Sequence, residues 1–265
     1  MRLLLACFVL ALLCATTIFA APYAAIVINA DTGEVLHEEN ADTRLHPAGL
    51  TKLMTLYVAF DAIESGLVGL DEIIRISKKA EVEPPAKLGL RSGQRIKLRY
   101  LLRAAAVKGA NDASTAIAEE IDGSESAFAR RMNGYSKELG LTRSTWKNAH
   151  GLTEKGHLST ARDIANLFAA HQRDFPDYFN LFSRLTTNAG LRDVVNSARR
   201  LLVNLRGKEG AKYGYTRAAG FNMAALVRHR DMGIVVVVFG ARSTATLNKQ
   251  VAMLADKAFS ELIKK

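Results

Sequence analysis

The sequence predicts a mixed α/β domain, with an antiparallel sheet built from the two ends of the chain and helices drawn from its middle. Two apolar strand pairs and a run of helix-period segments between them carry that prediction. Residues 23–29 (YAAIVIN) form an apolar run closed by Asp31-Thr32-Gly33, and residues 34–37 (EVLH) follow, so a strand, a tight turn and a second strand are expected. Near the other end, residues 221–227 and 233–239 flank the polar turn Arg228–Asp231 and read as an antiparallel hairpin. Its second strand, GIVVVVF, is the strongest strand signal in the chain. For one sheet to form, the N-terminal and C-terminal strands must meet.

The middle is helical. Residues 48–64 carry Leu50, Leu53, Met54, Tyr57, Val58, Phe60 and Ile63, which fit a buried helix opened just after Pro47 and closed near Gly66. Residues 98–107 and 112–121 predict two further helices broken by Gly109-Ala110-Asn111, and residues 124–139 and 159–171 predict amphipathic ones. A last helix follows the hairpin. No internal repeat, low-complexity tract or Gly/Pro/Ser-rich linker divides the chain, so one domain is expected.

The composition is that of an ordinary globular protein: 265 residues, 49% hydrophobic and 23% charged. This excludes a collagen-like repeat, a disordered chain and a disulfide-stapled miniprotein. The one departure is a net charge of +10. Most of it sits in residues 75–108, which hold ten basic side chains (Arg75, Lys78, Lys79, Lys87, Arg91, Arg95, Lys97, Arg99, Arg103, Lys108) against Glu81 and Glu83.

Residues 1–20 read as a secretory signal peptide: Met1-Arg2, an apolar run from Leu3 to Leu13, then small residues around Ala20 and Ala21. The run is short for a membrane span, which disfavours a retained anchor. Both cysteines, Cys7 and Cys14, lie in this segment, so residues 21–265 form no disulfide and no thiolate metal site. Cleavage removes Arg2 and leaves 35 basic against 26 acidic side chains.

Three short segments bear on chemistry: Gly49-Leu50-Thr51-Lys52 at a helix start, Gly109-Ala110-Asn111 between helices, and Lys212-Tyr213-Gly214 ahead of the hairpin. Their flanks are HPAGLTKLMTLYVAF, AVKGANDAS and GAKYGYTRAAG, and NAHGL (148–152) and HLSTARDIA (157–165) lie between the second and third. In this order the segments resemble the D-alanyl-D-alanine carboxypeptidase family, serine peptidases among the low-molecular-mass penicillin-binding proteins. That family carries S-x-x-K, S-x-N and K-T-G at these places. The resemblance spans roughly residues 22–262. It implies a penicillin-binding/β-lactamase-type transpeptidase fold, with an antiparallel sheet flanked by helices plus a helical subdomain. It also implies the catalytic module alone, with no C-terminal β-rich domain and no amphipathic anchor.

The chemistry explains the residue types. A hydroxyl nucleophile needs a base within reach, and a Lys at i+3 lies on the same helix face. Burial and a neighbouring cation lower its pKa. By resemblance, Lys52, Asn111 and Lys212 are retained catalytic positions, and Gly214, Tyr215 and Thr216 lie along the substrate. The backbone N–H groups of Gly49 and Tyr215 form the oxyanion hole. Three positions depart from the pattern: Gly49 stands for the nucleophilic Ser, Gly109 for the loop Ser and Tyr213 for the strand Thr. The family also places an Arg near the start of the last helix, where this chain has Leu247-Asn248.

No acyl-enzyme can form on a glycine, and loss of such a nucleophile typically costs about 10⁶-fold in turnover. Thr51, two positions on, faces about 200° away around the helix. Tyr213, bulkier than Thr, is expected to narrow the groove. Two residues keep structural readings open beside the functional one: Lys52 as an ion-pair lysine, and Asn111 as an N-cap for residues 112–121.

No metal site is expected: no H-E-x-x-H spacing occurs, and His150 and His157 are seven apart with only Glu154 nearby. No cofactor is expected, because GLVGL (66–70) lacks a dinucleotide fingerprint. Nucleic acid is disfavoured, since only Tyr100 interleaves the basic run. The expected partners are a peptidoglycan stem peptide or another anionic envelope polymer, β-lactams held non-covalently, and a membrane surface. The expected location is the periplasm or envelope of a bacterium. The resulting expectation is a carboxypeptidase-family protein of peptidoglycan metabolism, impaired in acyl chemistry, with a binding or regulatory role. Two alternatives stand beside it: an active carboxypeptidase in which the change at Gly49 is compensated or engineered, and a structural envelope-binding protein using the basic face.

Overall fold

The computed structural model describes residues 21–263, so the expected signal peptide at 1–20 lies outside the described residues. The chain opens with β1 (Ala24–Asn29) and β2 (Val35–Glu39), then a 3₁₀ turn (Ala48–Leu50) leading into α1 (Thr51–Glu64). Next come β3 (Ile73–Arg75), α2 (Lys78–Val82), β4 (Arg95–Lys97), α3 (Leu98–Arg103), α4 (Asn111–Asp122), α5 (Glu125–Glu138) and α6 (Ala161–Asp174). The last third holds α7 (Pro176–Phe179), β5 (Thr186–Asn188), β6 (Asp193–Val195), α8 (Arg199–Asn204), β7 (Lys208–Thr216), β8 (Gly220–His229), β9 (Met232–Ala241) and α9 (Thr244–Leu262).

The two ends of the chain do meet. β1 pairs antiparallel with β9 from Ala24↔Phe239 to Asn29↔Ile234, in a five-stranded sheet of order β2-β1-β9-β8-β7. Strand side chains alternate between the two faces. Ile26, Ile28, Leu226, Val235, Val237 and Phe239 join the larger core, with α1, α4 and α6. Val27, Ala225, Val227, Ile234, Val236 and Val238 join a smaller core under α9 and α8. Both faces are covered, which is why GIVVVVF is apolar without alternation.

α1 lies at the centre of the larger core, with eleven of its fourteen residues buried. A helix enclosed on all sides needs apolar residues on every face, and its polar residues Thr51, Lys52 and Thr55 must find partners inside the protein. α3 ends differently from the expected regular helix over 98–107: its last turn, Ala104–Lys108, is widened to π-type bonding and closes on Gly109 at φ 75°. Asn111 is corrected from N-cap to first residue of α4, because Ala110 holds the cap position and no side chain caps it. Three-residue hairpins, β3–β4 and β5–β6, lie below the resolution of periodicity in the sequence.

Candidate functional site

The segments singled out in the sequence converge on one groove of about 370 Å³, lined by Gly49, Lys52, Gly109, Asn111, Tyr213, Gly214, Tyr215 and Thr216. Pro85, Ala86, Lys108, His150, Gly151, Leu152 and Ser197 complete it. One wall is the start of α1 with the 148–153 segment, and the other is the free edge of β7. Thr153 Oγ1 donates to Thr216 Oγ1 at 2.9 Å, tying the two walls together at one end.

Lys52 is 2% exposed and, among the described residues, has no carboxylate within ion-pair distance, contrary to the ion-pair reading. Its Nζ donates to Asn111 Oδ1 at 2.7 Å and to the His150 carbonyl at 2.6 Å. Asn111 Nδ2 donates in turn to the Pro84 carbonyl at 2.9 Å, so the amide bridges the lysine to the far rim of the groove. Burial pulls the Lys52 amine down to about 7, against the raising fields of Asp112 and Glu83. The amine is therefore tuned as a base near neutral pH, although residue 49 offers it no hydroxyl. Thr51 faces away, as its position requires: its Oγ1 lies 2.8 Å from His157 Nε2.

At Gly49 backbone approaches the groove closely. A Cβ placed on Gly49 would lie 2.8 Å from the Tyr213 carbonyl oxygen and 3.0 Å from Gly214 Cα. The expected narrowing by the Tyr213 ring is corrected here. That ring packs with the smaller core and Phe221, and its hydroxyl bonds to Thr244 at the start of α9. It is the strand edge, rather than the ring, that lies against the glycine. The residue before it, Ala48, holds φ 48°. Such a conformation is strained for a side chain and persists only where the surroundings fix it. Gly151 supplies part of that fixing: at φ +84° its own Cβ would meet the Ala48 carbonyl oxygen at 1.8 Å.

Lys212, 1% exposed, turns into the molecule. Its Nζ donates to the Ala105 and Ala106 carbonyls at 2.5 and 2.7 Å, which the widened end of α3 leaves available. Burial, and then the field of Lys52, pull this amine well below its ordinary value. A Cβ on Gly109 would lie 3.8 Å from Lys212 Nζ and 3.9 Å from Ser197 Oγ, so Ser197 brings a hydroxyl close to the position where the resemblance leads one to expect a loop serine. Tyr215, half-exposed, stacks obliquely on Phe221 at 4.5 Å and presents the strand end to solvent.

A family model described as D-alanyl-D-alanine carboxypeptidase matches residues 15–243. The chain belongs to the D-alanyl-D-alanine carboxypeptidase family. It is 34% identical to the D-alanyl-D-alanine carboxypeptidase DacF of Bacillus subtilis, over 89% of this chain and 62% of that protein. It is also 34% identical to DacC of Escherichia coli, over 82% of this chain and 56% of that one. The chain thus spans about three fifths of the length of these curated relatives. Its fold matches DacD from Francisella tularensis with a TM-score of 0.83 at 26% identity, covering 89% of this chain and 69% of that one. It matches penicillin-binding protein D2 from Listeria monocytogenes in the ampicillin-bound form with a TM-score of 0.81 at 27% identity, covering 89% and 96%.

Behind this carboxypeptidase-family groove lies a buried polar cluster that motif reading missed. His150 Nε2 sits 3.3 Å from Glu125 Oε1 and 3.5 Å from Glu83 Oε2. Lys79 pairs with Glu125 Oε2 at 2.7 Å. The three atoms of Glu83, Glu125 and His150 lie within 4.8 Å of one another, a spacing that could surround a metal ion. The ring argues otherwise. The Leu152 N–H donates to His150 Nδ1 at 3.1 Å, which assigns the imidazole proton to Nε2 and makes the ring a donor toward the carboxylates. Burial, with the fields of Lys52 and Lys79, holds this ring neutral, its pKa lowered to about 3. Burial also raises the Glu83 carboxyl. Glu125 Oε1 accepts the Ala149 N–H at 2.9 Å and Thr55 donates to the Ala149 carbonyl at 2.6 Å, so the cluster fixes the segment whose next carbonyl receives Lys52. The sequence signal was present in NAHGL, but the two glutamates come from distant segments and no spacing rule joins them.

Proposed function

We propose that this carboxypeptidase-family protein acts in peptidoglycan metabolism by binding the D-alanyl-D-alanine end of a stem peptide without forming an acyl-enzyme. The observation that carries the reading is Gly49: no hydroxyl is present, and the Tyr213 carbonyl stands 2.8 Å from where a side chain would begin. The retained groups suit recognition. The free edge of β7 at Gly214–Thr216 offers main-chain donors and acceptors to an extended peptide. Asn111 and Lys52 face its amide, and the Lys212 amine lies behind the strand, bonded to the Ala105 and Ala106 carbonyls. β-Lactams enter the same groove without a covalent bond. Export by residues 1–20 would deliver residues 21–265 to the bacterial envelope or periplasm.

Two measurements test this. Incubation with a fluorescent penicillin is expected to leave no label that survives denaturation. Calorimetry with an acylated D-alanyl-D-alanine peptide is expected to give saturable heat with no D-alanine released. Stable labelling or steady D-alanine release overturns the reading in favour of a compensated enzyme.

A further inference from the structure

The two-stranded β3–β4 ribbon sets two arginines face to face. Its register is Ile73↔Lys97, Ile74↔Ile96 and Arg75↔Arg95. Ile74 and Ile96 point inward and are buried, so Ile73, Arg75, Arg95 and Lys97 share the outward face. Lys97 is neutralised by Asp71 at 3.0 Å, which also takes Arg99. Among the described residues Arg75 and Arg95 have no ion-pair partner, and neither does the exposed Arg91 in the adjoining turn. Like charges directly opposed across an antiparallel pair are destabilising. The opposition is also held in place: the Ile76 N–H donates to the Gln94 carbonyl and the Gly93 N–H to the Ile76 carbonyl, both at 2.8 Å. An anion from outside the chain would offset it.

We propose that this face of the ribbon docks on the surface of an anionic lipid bilayer, with Arg75, Arg91 and Arg95 against the headgroup phosphates and Ile73 in the interface. The apolar member favours lipid over a soluble polyanion. Ile73 is 45% exposed on the same face, two residues from Arg75 and opposite Lys97, where an apolar side chain gains from an acyl boundary and gains nothing from a hydrated polymer. The patch lies outside the groove and does not depend on what the groove binds.

The test is co-sedimentation of the full chain with vesicles of phosphatidylcholine carrying phosphatidylglycerol, against phosphatidylcholine alone. Residues 1–20 are common to every variant, so the ratio of wild type to variant reads the ribbon. Arg75→Glu converts the opposed arginines into an opposite-charge pair and is expected to keep the thermal midpoint. It removes two cationic contacts, so binding to the anionic vesicles is expected to fall about 30-fold, at roughly 1 kcal/mol per basic residue near such a surface. Ile73→Ser leaves the charge unchanged and is expected to weaken the same binding severalfold. Equal binding by wild type and Arg75→Glu overturns the proposal. Equal binding by wild type and Ile73→Ser also overturns it, leaving a soluble polyanion as the partner.

Discussion

The two walls of the groove are held in different ways. On the α1 wall the polar groups behind Gly49 are tied to one another: Lys52 holds both Asn111 and the His150 carbonyl, and the Glu83–Glu125–His150 cluster holds the segment that presents that carbonyl. On the β7 wall the side chains point away from residue 49, Lys212 toward the carbonyls of the α3 end and Tyr213 toward Thr244, and the backbone lies against Gly49. The difference follows from burial. Truncating Lys52 would leave two buried acceptors without a donor, at about 1–3 kcal/mol each, so that wall resists change whether or not catalysis continues. The β7 wall meets residue 49 through backbone alone, with no side chain between them.

The comparison can be broken most severely at Gly151. Gly151→Ala puts a methyl group 1.8 Å from the Ala48 carbonyl oxygen at positive φ, and a loss of more than about 4 kcal/mol in denaturant-determined stability is expected. Acid should loosen the same wall. His150 and His157 titrate near 3 and His171 near 4 in the folded protein, against 6.5 when free, in each case chiefly because burial disfavours the cation. The unfolded chain therefore binds more protons below pH 6.5. Stability that is full above that value is lost as pH falls toward 3, by on the order of several kcal/mol, which thermal melts across the range would record.

Gly49→Ser probes the other wall. It is expected to lower stability by about 1–3 kcal/mol through overpacking against β7 and to release no D-alanine from a D-alanyl-D-alanine peptide. Release would mean that the strand yields easily and that the two walls differ less than the geometry says. A smaller effect comes from Asn111→Asp. A carboxylate beside Lys52 should raise the midpoint of its amine reactivity from about 7 by about one pH unit or more, read from a pH profile of amine labelling. The smallest belongs to Tyr213→Phe, which removes the bond to Thr244 and should cost about 1 kcal/mol in a thermal or denaturant melt.

Much of this was legible in the sequence. YAAIVIN and GIVVVVF located the strands that join the chain ends, since a strand buried on both faces must be apolar throughout. The groove positions were legible because short motifs keep their order along the chain. The parts that escaped reading depend on groups distant in sequence. Asp112 sits in the middle of a motif, yet its fully buried carboxylate accepts the N–H groups of Leu88, Gly89 and Leu90 at 2.8–3.0 Å, from a segment with no recognisable pattern. Asn111 read equally well as a cap or as a groove residue, because both uses need an amide at a helix start. Only the position of Ala110 at the cap separates them. The approach of β7 to Gly49 had no signal at all, because it is a contact between backbones.

That contact couples two positions in any redesign of the groove. A serine placed at residue 49 alone would press on the Tyr213 carbonyl and on Gly214 Cα, so a hydroxyl fits there without strain only where a second change draws the β7 edge back. The glycine and the strand edge thus form one unit, and neither can be altered without reckoning with the other.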